Sequence, residues 1–169
     1  MEEKFSNRLF VSHSLDFDIS GEKLWNVVSR PNNLNHSHPF CELNKIIQWD
    51  ENAHIDRLIY LNGRNYIRRF QTWEEGRGYT LIIGEDDGPQ SYVVWEIEKI
   101  NKNKSKLKIT IYPYILSKLP NFIAYIPHII WVRRRLVNYL DSALRGYEYF
   151  IETGEDVPRN HFGKHKWFS

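Results

Sequence analysis

At 169 residues the chain is long enough to bury one core, and 41% hydrophobic with 15% aromatic residues gives that core its material. A formal net charge of +2 supplies no overall field to recruit nucleic acid, so no nucleic-acid partner is expected. A lone cysteine, Cys41, excludes an internal disulfide, and the polar opening Met1-Glu2-Glu3-Lys4-Phe5 lacks the apolar run of a signal peptide, so a cytoplasmic location is the expectation.

The first element is a strand. Leu9, Val11, His13, Leu15 and Phe17 share one face from Leu9 to Phe17, with a period of two. Ser20 then caps a helix, Ile19 and Leu24 are spaced as a hydrophobic staple across it, and Leu24, Trp25, Val27 and Val28 form its buried stripe. Arg30-Pro31 ends it, and residues 31–38 read as a second short helix or an irregular turn.

From Cys41 onward strand follows strand. Leu43, Lys45, Ile47 and Trp49 alternate; Ile55 to Leu61 follows, closed by Asn62-Gly63, a strong hairpin signal. Tyr66 to Trp73, Tyr79 to Ile83, Ser91 to Ile100 and a last run through Leu107, Ile109 and Ile111 complete six strands joined by short turns. Such spacing suits an antiparallel meander. Residues 113–127 are apolar and aromatic, and their prolines predict a folded lid with one or two helical turns. The apolar run from Ile109 to Val132 is broken by Pro113, Lys118, Pro120 and Pro127, which argues against a spanning helix. Next comes a long helix. Ile129, Val132, Leu136, Leu140, Ala143, Tyr147 and Phe150 recur at helical spacing, and Gly154 supplies the stop. Residues 155–169 have no period and are expected to form a C-terminal surface tail behind a single domain of residues 1–154.

The fold class is therefore α+β: a curved antiparallel sheet of about seven strands around a long C-terminal helix, with two short helices after the first strand. This helix-grip order resembles the START-like or SRPBCC superfamily, and locally its polyketide cyclase/dehydrase branch. The resemblance rests on Asp18-Ile19-Ser20-Gly21-Glu22-Lys23-Leu24-Trp25-Asn26-Val27-Val28 and on the hairpin Asn62-Gly63 with Tyr66-Ile67-Arg68-Arg69-Phe70. It covers roughly residues 8 to 153 and speaks to fold, because the superfamily shares no catalytic set. It implies a cavity for a lipid, a polyketide or another hydrophobic molecule.

The candidate site follows from the strand faces. His13, Arg57 and Arg68 share faces with apolar neighbours, so they are candidate polar contacts for a ligand's acidic or enolic end. Two alternatives stand beside this reading: a register shifted by one, which turns both arginines outward, and an internal acid that pairs them. If the ligand reading holds, Arg68→Leu abolishes binding of an acidic lipid or aromatic acid while the domain stays folded. Tyr66, Phe70, Val93, Trp95, Leu136, Leu140 and Tyr147 are the expected walls. His36, His38, Phe122 and Tyr125 are expected at the entrance.

His36, His38 and Cys41 have zinc-ligating chemistry, but no fourth ligand is evident, so neither metal nor cofactor is expected. The aromatic segment beside Arg133-Arg134-Arg135 suits transient contact with an anionic membrane. The favoured reading instead has Phe122, Tyr125 and Ile126 covering the sheet or the cavity mouth. The expected function is binding of a hydrophobic or amphipathic small molecule or lipid. A cyclase/dehydratase-type enzyme and a protein–protein interaction module are the alternatives.

Overall fold

The structure, a computed structural model, describes residues 3–169, with side chains from Phe5 onward; Met1 and Glu2, part of the opening read above, lie outside them. Seven strands make one antiparallel sheet: β1 (Val11–Phe17), β2 (Cys41–Trp49), β3 (His54–Tyr60), β4 (Asn65–Glu74), β5 (Gly78–Gly84), β6 (Gln90–Asn101) and β7 (Lys104–Tyr112). Their order across the sheet is β1-β7-β6-β5-β4-β3-β2. The meander from β2 to β7 follows from its short turns, as at Gly63, whose φ of 84° few side chains tolerate. Bulges between Cys41 and Leu43, between Ile46 and Gln48, and between Phe70 and Thr72 interrupt the ladders. Such bulges bend strands and re-aim their side chains. Leu43 and Ile47 accordingly face solvent while Asn44 is buried.

The helices are α1 (Glu3–Ser6), α2 (Gly21–Val28), α3 (Leu34–Ser37), α4 (Asn121–Pro127) and α5 (Arg134–Thr153). Ser20 caps α2, its hydroxyl accepting from the Lys23 N–H at 3.3 Å, and Leu24, Trp25 and Val28 are buried beneath. Leu136, Leu140, Ala143 and Tyr147 form the buried face of α5, and Gly154 ends it at φ 74°. These α2 and α5 features match the sequence pattern.

Two expectations need correction. The long helix does not begin near Ile129: α4 starts after Pro120 and runs through a π-helical stretch, His128–Arg133, into α5. Pro127 explains the widened turn, because it has no N–H to donate and its ring crowds the carbonyl one turn back. Nor do residues 155–169 form a mere surface tail. The Val157 N–H donates to the His36 carbonyl at 2.9 Å, the Asn160 N–H to the Pro39 carbonyl at 2.8 Å, and Val157, His165 and Phe168 are buried. Phe168 belongs to the main core.

Gly146 shows how closely α5 sits on α3. A Cβ there would lie 2.1 Å from the Ser37 carbonyl oxygen, so only glycine permits this crossing.

Candidate functional site: a cavity between sheet and helix

The inner face of the curved sheet and the buried face of α5 enclose a cavity of about 90 Å3. Leu58, Leu81, Val93, Trp95, Ile109 and Ile111 line it from the sheet, and Leu136, Leu140 and Ala143 from α5. These walls are apolar because the strands present alternate residues inward and α5 presents its stripe. Trp167 and Phe168 of the C-terminal segment close one side, with the Phe168 ring stacked 4.4 Å from that of Tyr60. Asn62 donates to the Trp167 carbonyl at 2.7 Å, which ties this closure to the β3–β4 hairpin.

Polar groups enter the cavity in two sets. In the first, the Phe40 N–H donates to Nδ1 of His38 at 3.2 Å. Nε2 therefore carries the ring proton and donates to the Tyr139 hydroxyl at 3.0 Å, which lies 3.0 Å from the Tyr60 hydroxyl. Burial, reinforced by the nearby Arg68 cation, pushes His38 down to about 3, so the ring is neutral near pH 7. Burial also pushes Tyr139 up to about 12 and Tyr60 well above the usual phenol value. All three groups are thus neutral donors and acceptors. In the second set the Tyr66 hydroxyl lies 3.4 Å from that of Tyr114, and the exposed Arg64 donates to Tyr66 at 3.4 Å.

The structure gathers some of the expected site residues and scatters others. Tyr66, Val93, Trp95, Leu136 and Leu140 do line the cavity, as does Arg68. Arg68, however, is already paired. Its Nε donates to Asp56 Oδ1 at 2.7 Å, its Nη2 to Asp56 Oδ2, and both residues are buried. Burial opposes the guanidinium's charge, but the Asp56 charge and hydrogen bonds outweigh it and leave the Arg68 pKa raised. The pair arises from register, since Asp56 on β3 stands directly opposite Arg68 on β4.

The same register turns Arg57 out to solvent. β3 buries Asp56, Leu58 and Tyr60, not the Ile55, Arg57 and Ile59 face expected from sequence. His13 is also displaced from the cavity, its Nε2 lying 3.3 Å from Asp141 of α5 near the surface. Phe70 packs with Trp49, Trp73 and Tyr79, and Tyr147 lies in the core, where it accepts from Asn33 Nδ2 at 3.0 Å.

The entrance residues divide similarly. His38 sits on the cavity wall, not at its mouth. His36 faces outward, 2.7 Å from Asp156 and stacked on Phe150. Phe122 and Tyr125 are 81% and 55% exposed and do not line the cavity. His36, His38 and Cys41 do not converge, and among the described residues no three His, Cys, Asp or Glu could hold a metal ion. Burial pushes the Cys41 thiol up to about 12, which leaves it unreactive.

Sequence reading missed Tyr60, Tyr139, Trp167 and Phe168. Tyr60 was legible from the other phase of β3, and Tyr139 lies three residues beyond Leu136, at the edge of the helical stripe. The return of Trp167 and Phe168 left no periodic signal.

A grip of seven antiparallel strands on a C-terminal helix, closed over an apolar cavity, defines the START-like or SRPBCC fold. Solved structures agree. A START superfamily protein from Mycobacterium smegmatis superposes with a TM-score of 0.66 at 14% identity, over 85% of this chain and 97% of that one. The Zhui aromatase/cyclase from Streptomyces sp. R1128 gives 0.61 at 13% identity, over 88% and 99%. The di-domain aromatase/cyclase BexL gives 0.66 at 11% identity, over 85% of this chain and 46% of its own length. At such identities the likeness is one of fold. The sequence matches no family model and no curated protein. Among the described residues no helix is long and apolar enough to cross a membrane.

Proposed function

We propose that the protein binds a hydrophobic or amphipathic small molecule in this cavity. The observation that carries the reading is an apolar chamber with one neutral hydrogen-bonding wall, His38–Tyr139–Tyr60. Such a wall suits a hydroxyl, carbonyl or protonated acid, because its groups are neutral and the buried Arg68 on the lining is already neutralised by Asp56. That leaves only the exposed Arg64 as a cation without an acid partner among the described lining residues. A benzene-sized guest occupies an apolar cavity of roughly 150 Å3. At about 90 Å3 this chamber must widen even for a guest of that size, and Trp167 and Phe168 are a part of its wall that lies outside the sheet and α5.

A cyclase-type enzyme would use the same wall. General acids and bases work best with pKa values near the operating pH. His38 at about 3 and Tyr139 at about 12 lie far from it on opposite sides. That separation favours binding over proton transfer.

Native mass spectrometry of the purified chain, with extraction of whatever it carries, tests the proposal. The expected result is one bound apolar molecule per chain, with occupancy reduced by Tyr139→Phe, which removes a hydroxyl from the wall. A chain that carries nothing and takes up no added fatty alcohol or neutral phenol would overturn it.

A further inference from the structure

The outward face of α4 and the π-helical stretch is apolar where a solvated helix is normally polar. Phe122, Ile126 and Ile130 are 81%, 65% and 69% exposed, and Tyr125 and Ile129 stand beside them at helical spacing. The opposite side of the same helix is already committed to the fold through Ala124, His128 and Val132. The exposed stripe is therefore a second apolar face on a helix that has already buried its first. Isolated exposed apolar residues need no explanation, but a contiguous stripe does.

Cations rim this stripe on both sides. Arg133 lines one depression with Phe10, Tyr125 and Ile129, and Arg134, Lys164 and Lys166 line another with Ile130 and Trp131. Among the described residues none of these four cations is in an ion pair. Residues 113–140 contain no Asp or Glu, nor do residues 157–169.

We infer that this face docks on an anionic lipid surface, with α4 lying in the plane of the headgroups. Phe122 and Ile126 would enter the acyl boundary, Tyr125 and Trp131 sit at headgroup level, and the four cations meet lipid phosphates and carboxylates. Charge decides between this and a second copy of the chain. A two-fold contact through the stripe brings the same cations from both copies together, and neither facing segment holds a carboxylate to receive them. A membrane offers apolar depth and negative charge together. The inference does not depend on the cavity's being a ligand site.

The test is cosedimentation of the full chain with vesicles of phosphatidylcholine alone, or of phosphatidylcholine and phosphatidylserine in equal parts. Binding is expected to the mixed vesicles only, and to fall as salt rises. Arg133→Glu with Arg134→Glu should weaken it by about tenfold or more, from the loss of two cations at an anionic surface. Phe122→Asp with Ile126→Asp should abolish it. All four side chains are exposed, so circular dichroism should show both variants folded, and each pair stands as a test without the other. Absence of binding by the folded wild-type chain overturns the inference. So does a concentration-dependent dimer that the Phe122 and Ile126 pair dissociates while vesicle binding is missing.

Discussion

Asp56 and Arg68 face each other across β3 and β4 with almost no access to water. Removing one member of such a pair leaves the other charged and unpaired, at a cost of about 3–5 kcal/mol, whereas removing both is far milder. The ligand-contact reading expected Arg68→Leu to spare the fold. The structure predicts the reverse: a marked loss of stability, largely recovered when Asp56→Leu is added. Urea unfolding of the three proteins checks this, and a wild-type midpoint for Arg68→Leu alone would refute it. His38 sets a second expectation. Folding holds it at about 3, below its ordinary 6.5, so on acidification the unfolded chain takes up a proton that the folded chain refuses. Its stabilising contribution is complete above pH 6.5 and is lost as pH falls toward 3, by at most ~1.4 kcal/mol per pH unit. Burial lowers His165 and His128 in the same direction. His38→Asn should therefore flatten the acid limb of stability against pH without removing it, as urea titrations across that range would show.

Periodicity made most elements legible, because a stripe on α5 or a run on β6 leaves one phase apolar and the other polar. It failed on β3. There Ile55 and Ile59 mark one face, and Leu58 and Tyr60 the other. Hydrophobicity could not choose between them, and the buried Asp56 that settles the phase gives no apolar signal. The cavity walls on β4, β6 and α5 were read in part from their patterns, whereas the polar wall was missed because Tyr60 depended on that phase. The prolines of segment 113–127 suggest a folded lid with one or two helical turns; α4 supplies those turns, but it continues into α5 because Pro127 is absorbed into a widened turn. The crossing at Gly146 was invisible for another reason, since the atoms that demand glycine lie on α3. Gly146→Ala raises intrinsic helix propensity by about 1 kcal/mol. Its Cβ nonetheless meets the backbone carbonyl of Ser37 at 2.1 Å, so α5 must shift. A net lower melting temperature is expected by calorimetry; an unchanged or higher one would show that the helices can part without cost.

Across the whole molecule, two surfaces make separate demands. The interior chamber is small, neutral and apolar, and Trp167 and Phe168 form part of its wall. The exterior stripe on α4 is large, apolar and edged with cations. Trp131 and Trp167 meet edge to face at 5.5 Å, so the segment that closes the chamber touches the end of the stripe. The sheet order adds a constraint in time. β1 is held on one side only, by β7, and the residues that meet, from Val11 opposite Ile111 to Phe17 opposite Ser105, are far apart along the chain. Residues 105–111 must therefore leave the ribosome before β1 has a neighbour in the sheet. Until then β1 is an unpaired edge, open to chaperones or to another nascent chain, and this topology commits the molecule to late closure during synthesis.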